Sequence, residues 1–350
     1  MKNFLLFAFL VCIKIQSFSQ KTLVLKNLLD EKPHEKYQLW EIKDGRKNKH
    51  SIGFYIDANK QKNAISILGG IEESLEKILI LRKNQDSSKA KIQLHLKNLE
   101  FSEKQKTPTE IAGELILKMS FEKITTDDTI HLVDYQYITN FVRNFSNQKH
   151  ENYEAVLRNQ LKKSLHYFEQ WFDKNETSHE AFIKKTEISF LPDLKIDEED
   201  TLSYGIREIN WDDFKGKPSS RSLYSGAIFP NIGYSAKFFI EKNTLKAQIQ
   251  THTYMVKGMS WIKINNLTDY ALNHEKLHFS IAKIIIERFK KKISTFEAFT
   301  VADLQSMIQL EYIESYRAMN RLQEEYDHDT QHGLNRPQQS HWEQKIKEWL

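Results

Sequence analysis

Two histidines one helical turn apart, in His274-Glu-Lys-Leu-His278, restrict this chain more than any other feature. The residues around them repeat with a helical period from about Thr268 to Lys292, and Thr268 is a suitable N-cap. Residues four apart on a helix share one face, and His274, His278, Ile281 and Ile285 form one stripe. The imidazoles therefore point where a core must lie. Both can reach a single metal ion at about 2.0–2.1 Å, whereas Glu275 projects differently and can face a metal-bound water. Neutral nitrogen ligands with an open position suit zinc, which lowers the pKa of bound water to about 7. Glu275 is then the expected general base, taking a proton as water attacks a carbonyl and passing it to the leaving amine. The plainer alternative is a pair of hydrogen-bonded core histidines on an ordinary helix.

Two histidines and a water do not complete such a site; a third protein ligand is required. The stretch Tyr326-Asp-His-Asp-Thr-Gln-His332-Gly333 follows a helix expected from about Ala302 to Glu325, which can return the chain to the metal helix. Glu311 and Glu314 on that helix are rivals. Residue types alone leave His332, Asp327, His328 and the two glutamates open.

The N-terminus reads as an export signal. Lys2 is a positive start, Phe4 to Ile13 is an apolar run, and Ser17 and Ser19 place small residues before a cut at Gln20. That run falls short of the roughly 20 apolar residues a bilayer span needs, and no later segment is apolar enough. The single cysteine, Cys12, lies inside the signal, so the remaining chain holds no disulfide, catalytic thiol or cysteine-ligated metal. The formal charge of +4 loses Lys2 and Lys14 with the signal, giving +2, which offers no reason to expect a nucleic-acid partner.

At 350 residues the chain suits two domains. Residues 20–195 are expected as an N-terminal α/β domain. Its strands are read at Ile92–Leu96, Leu115–Phe121 and Thr129–Thr139, as an antiparallel sheet with helices at Ile71–Leu81 and Tyr153–Phe172 on one face. Its histidines (His34, His50, His95, His131, His166) read as surface or strand-face residues. Pro192 and the acidic run Asp197–Asp200 read as a linker. Residues 200–350 then begin with a strand-like Ile206–Trp211, continue with β segments at about 224–240 and 244–256, and end in helices, the last after Gln339. The whole is α+β. His252 in the second β segment reads as a cross-strand residue, and Trp211 and Phe214 as core.

From about residue 203 onward the chain resembles a poorly characterised bacterial family described as predicted secreted zinc-dependent proteases, common in Bacteroidota. The resemblance rests on Ile209-Asn-Trp-Asp-Asp-Phe214, on Leu272-Asn-His-Glu-Lys-Leu-His-Phe279, and on Tyr326-Asp327, Thr330, His332-Gly333, Gln339 and Trp342. It implies a zincin-like C-terminal domain with a small sheet beside the metal helix. It places the metal ligands at His274 and His278 and the catalytic glutamate at Glu275. For the third ligand it favours His332, with Asp327 second. Tyr326 falls in the family's tyrosine–aspartate element, as an oxyanion donor or as a brace for the loop. The expected activity is hydrolysis of a peptide or protein substrate, in the periplasm or outside the cell. The competing expectation is an envelope-associated protein-binding module with a structural or vestigial metal site, against which the intact Glu275 argues. A non-peptide amidase acting on cell-wall peptides is a third.

Overall fold

The computed structural model describes residues 21–26, 34–79, 88–126, 128–145, 153–218, 222, 224–263, 265 and 267–350. The segment expected as an export signal, with Cys12, lies outside these residues. The chain divides into two units, residues 1–174 and 175–350. Among the described residues no helix is long and apolar enough to cross a membrane.

The first unit contains β1 (Lys21–Leu23), β2 (Tyr37–Asp44), β3 (Phe54–Ile56), β4 (Lys62–Ile67), α1 (Ile71–Leu79), β5 (Ala90–Gln105), β6 (Glu110–Ile124), β7 (Thr129–Asn144) and α2 (Tyr153–Asn175). Alternation decides the central strands. Leu115, Leu117, Met119 and Phe121 of β6 are buried, with Phe121 stacked on Phe168 of α2 at 4.2 Å between ring centroids. The strand order is β2-β5-β6-β7, and the last three are antiparallel as expected. The sheet is mixed, however, because β2 runs parallel to β5. The intervening β3, β4 and α1 supply the long crossover that a parallel pair requires. β1, β4 and β3 form a separate small sheet. The buried Glu103 carboxylate accepts from the Ile56 amide at 2.7 Å, the Tyr153 hydroxyl at 2.7 Å and Arg143 Nε at 2.9 Å, which satisfies its charge.

The second unit contains β8 (Lys185–Phe190), β9 (Thr201–Ser203), β10 (Gly226–Ala227), β11 (Pro230–Glu241), β12 (Thr244–Val256), β13 (Trp261–Ile262), α3 (Asp269–Ile293), α4 (Val301–Thr330) and α5 (Arg336–Trp349). Its main sheet runs β11-β12-β8, with β9 also on β12 and a two-stranded β10–β13 ribbon apart from it. Three expectations change here. Residues 185–190 belong to this unit, not to the N-terminal domain, because β8 adds in parallel to β12. The acidic run is no free linker: Asp197 pairs with Lys257 at 2.7 Å and Arg207 at 2.8 Å. Ile206–Trp211 is not a strand but a turn entering a 3-10 helix at Trp211–Asp213, with Asn210 as its N-cap. Trp211 and Phe214 do pack in a core cluster, with Leu202 and Met255.

Helix α3 is apolar on two sides because it is covered on two sides. Ala282, Ile285, Ile286, Phe289 and Ile293 share a core with Leu245, Ala247 and Ile249 of β12 and with Leu304, Ile308 and Met319 of α4. Leu277, Ile281 and Ile284 pack instead with Tyr326, Trp342 and Ile346. Its start is capped by the Thr268 hydroxyl accepting from the Ala271 amide at 3.1 Å, and Lys290, Lys291 and Lys292 meet the negative end of its dipole.

Asp193 fastens the chain before β9 to this helix. Its carboxylate lies 2.5 Å from Lys283 Nζ and 3.3 Å from Lys290 Nζ and accepts from the Thr251 hydroxyl at 2.7 Å. Burial alone would raise its pKa, but these bonds and the two lysine charges outweigh it and bring the group to about 2. A depressed folded-state pKa stabilises the fold above the unfolded value and loses that contribution as pH falls through the folded one. Asp193→Asn is therefore expected to lower unfolding free energy by up to about 2 kcal/mol at neutral pH. In urea unfolding at a series of pH values, the difference should shrink between about pH 4 and about pH 2; a constant difference would contradict this role.

Candidate metal centre

The first turns of α3 carry the two histidines into the seam with α4. His274 is 6% and His278 8% exposed, with ring centroids 4.9 Å apart and planes nearly perpendicular. Both Nε2 atoms converge on Asp327 Oδ1, at 3.3 Å for His274 and 3.0 Å for His278. The opposite ring nitrogens have their own partners. His274 Nδ1 lies 2.8 Å from the Tyr326 hydroxyl and 3.2 Å from Gln339 Oε1. His278 Nδ1 meets Gln323 Oε1, while Gln323 Nε2 donates to the His278 carbonyl at 2.9 Å. Amide oxygens accept only, so the Nδ1 atoms carry protons and the Nε2 atoms are the ones turned to Asp327 Oδ1.

Ligand atoms of His274, His278 and Asp327 all lie within 4.8 Å of one another, so this trio could hold a metal ion. Four donors about 2.0 Å from one tetrahedral centre stand about 3.3 Å from each other, close to the spacings between the carboxylate and both rings. The donor chemistry, two imidazoles and one carboxylate, suits a divalent cation of the zinc type.

Asp327 reaches this position because α4 continues to Thr330, five residues beyond the expected end. Gln323 and Asp327, four apart, then share the face that meets α3. His332, which the family resemblance put first, stands outside the trio. It follows the helix end, where Gln331, His332 and Gly333 all have positive φ (49°, 54° and 80°). Its amide donates to the Asp327 carbonyl at 2.8 Å, and its Nδ1 lies 3.3 Å from Asp327 Oδ1. Its ring is 44% exposed and packs against Tyr224 at 4.2 Å. Gly333 suits this turn because its φ is left-handed, and a Cβ there would rest against the His274 ring at 3.4 Å. The Tyr270 hydroxyl pins the same turn by donating to the Gly333 carbonyl at 2.8 Å.

The remaining candidates separate cleanly. The His328 side chain is 90% exposed and turned to Asp329. Glu314 is exposed and pairs with Arg317 at 2.5 Å, and neither it nor Glu311 lines the cleft that holds the trio. Tyr326 is fully buried, stacked on His274, with its hydroxyl on the Nδ1 side of that ring. It braces a histidine and does not face the cleft, so the oxyanion role expected as one alternative is not what this geometry provides. Burial holds the Tyr326 hydroxyl protonated well beyond the usual tyrosine range. His252 serves its sheet, 2.7 Å from the Ser203 hydroxyl across the β9–β12 pair.

Glu275 is 6% exposed and points the other way from the trio's supporting bonds, into β10 and the start of β11. Its Oε2 accepts from the Ile228 amide at 2.8 Å, and its Oε1 lies near Gly226, where an added Cβ would come within 3.6 Å. Glu275, His274, His278 and Asp327 line one cleft of about 510 Å³, with Gly226, Tyr270 and His332 at its walls. Burial would lower the His278 pKa, but the Asp327 bond and the Asp327 and Glu275 charges raise it above the ordinary histidine value. Burial would likewise raise Asp327, yet bonds from His274 and His278 hold it far below the carboxylate range, so it is ionised at neutral pH. Residue-type reasoning gave no role to Gln323, Gln339 or the Ile228 amide. The available signals were the four-residue spacing of Gln323 and Asp327 and the place of Gln339 in the family pattern.

Comparison with known proteins covers part of this region. Residues 257–333 match the family described as "Bacterial protein of unknown function (DUF922)", a span that runs from the β12 end through α3 and α4 to the Gly333 turn. No curated protein and no solved structure matches the chain.

Proposed function

We propose that this chain is an exported zinc-dependent hydrolase acting on peptide bonds, with a zincin-like second unit. The observation that carries the reading is the meeting of two helix-borne imidazole Nε2 atoms with one carboxylate oxygen, beside a glutamate held in the same cleft by a backbone amide. A pair of histidines serving only the core has no need to turn both Nε2 atoms to one ionised carboxylate at the wall of an open cleft.

When bound, zinc supplies a Lewis acid that polarises a carbonyl and makes water acidic near pH 7. His274 and His278 would hold it through Nε2, and Asp327 through Oδ1. Tyr326, Gln339 and Gln323 keep the two rings in register from behind. Glu275 Oε2 is occupied by the Ile228 amide, which leaves Oε1 to accept a proton from water and return it to the leaving nitrogen. The export reading rests on residues 2–19 of the sequence.

The purified full chain is expected to bind about one zinc per molecule and to cleave members of a broad peptide library. Glu275→Gln should keep the metal and lose about 10²- to 10⁴-fold in turnover. Equal cleavage by both proteins would refute the general-base role, and absence of metal in both would refute the site. Gln323→Ala and Gln339→Ala should each weaken zinc affinity by about 10- to 100-fold in chelator competition, with unchanged helix content by circular dichroism. Unaltered affinity in both would show that these amides do not orient the rings.

A further inference from the structure

A second depression in the same unit runs along the outer edge of β11, between that strand and residues 305–316 of α4, with a volume of about 940 Å³. Its character is unusual for this chain. None of the 14 residues lining it is charged, although charged residues make up 28% of the sequence, which would place about four there. Tyr234, Phe238, Tyr254, Tyr312 and Leu310 give it an aromatic and apolar surface, and Leu310 and Ile313 stand 61% and 39% exposed on its rim.

The backbone beside it is an open sheet edge. Among the described residues β11 pairs only with β12, and the Val256 amide donating to the Phe229 carbonyl marks odd-numbered residues as the inward-bonding set. Even-numbered residues therefore direct their amides and carbonyls outward. At Ile232 these are capped, the amide by Asn231 Oδ1 at 2.8 Å and the carbonyl by the Tyr312 hydroxyl at 2.9 Å. Beyond Ile232 no described strand pairs with the outward groups of Tyr234 and Ala236. An open edge beside an apolar trough is the surface that receives an extended peptide, with the backbone giving affinity and alternate side chains giving selectivity.

Along the chain the groove begins where the metal cleft ends. Ile228 and Pro230 line the cleft, and the groove starts at Asn231 on the same run of chain. At about 3.3 Å per extended residue, Tyr234 lies about 20 Å beyond the Ile228 amide that holds Glu275.

We propose that this groove binds the distal part of the substrate: an extended, uncharged segment with large apolar side chains about four to six residues from the cleaved bond. The assignment rests on the peptidase reading. A charged side chain there would lose its water with no counter-charge among the lining residues.

The test uses the full zinc-loaded chain and two peptides of about twelve residues, differing only in Phe and Leu against Glu and Lys at the distal positions. The apolar peptide is expected to be cleaved with about tenfold higher kcat/KM. Leu310→Glu and, separately, Ser306→Glu should remove that advantage while leaving a peptide of about four residues unaffected. Equal cleavage of both long peptides, or an equal loss on the short peptide, would overturn the groove assignment and leave the peptidase reading standing. If the parent cleaves nothing, the peptidase reading fails, and fluorescence anisotropy with Glu275→Gln tests the groove alone. Tighter binding of the apolar peptide, lost in Leu310→Glu, supports it; equal binding of both peptides overturns it. Parent dimers that dissociate in Leu310→Glu would show a second copy in the groove and overturn it likewise.

Discussion

The second unit is organised around a carboxylate, Asp327 on α4, that faces two imidazole nitrogens from α3 across the seam between the helices. Three ionisable groups held this close and mostly out of water are costly unless something compensates them. Each ring is bonded on its second nitrogen, and the carboxylate is ionised with both rings as partners, so the protein has arranged donors that converge on one small volume. Such convergence constrains everything that supports it. α3 must be capped, covered on two sides and fixed in rotation, and α4 must reach Thr330.

The supporting packing meets those demands. Tyr326, Trp342 and Ile346 fill the space behind Leu277, Ile281 and Ile284, so the face of α3 opposite the sheet is as dry as the face against it. The buried ring of Tyr326 stands between that core and His274, and the Trp342 indole donates to Asp329 at 3.0 Å, tying α5 to the last turns of α4. The left-handed turn after Thr330 then brings Gly333 against the His274 ring. Glu275 depends on the other side of the unit, since its carboxylate is fixed by the chain between β10 and β11.

Much of this was legible in the sequence where the signal is local. The two-residue alternation pointed to β5 and β6, the helical stripe and Thr268 to α3, and the consecutive β segments at about 224–240 and 244–256 to β11 and β12. What escaped depends on distant partners. Nothing within Lys185–Phe190 says that it will add in parallel to β12, nor within Tyr37–Asp44 that it will lie parallel to β5. The end of α4 was misplaced because Tyr326–Thr330 is polar, and polar residues at a buried seam look like a loop until their partners on α3 and α5 are known. His332 ranked above Asp327 on family pattern alone; the helix extension decided that Asp327 lies on the α3-facing side. The Ile228 amide had no signal at all, because a backbone donor carries no residue identity.

X-ray absorption at the zinc edge of the loaded full chain tests the central claim most directly. The arrangement predicts a first shell of nitrogen and oxygen at about 2.0–2.1 Å, with the outer-shell scattering of imidazole rings and no sulfur. His274→Ala and His278→Ala should each reduce that imidazole signal. A shell of oxygen alone, or a spectrum unchanged when either histidine is removed, would contradict it.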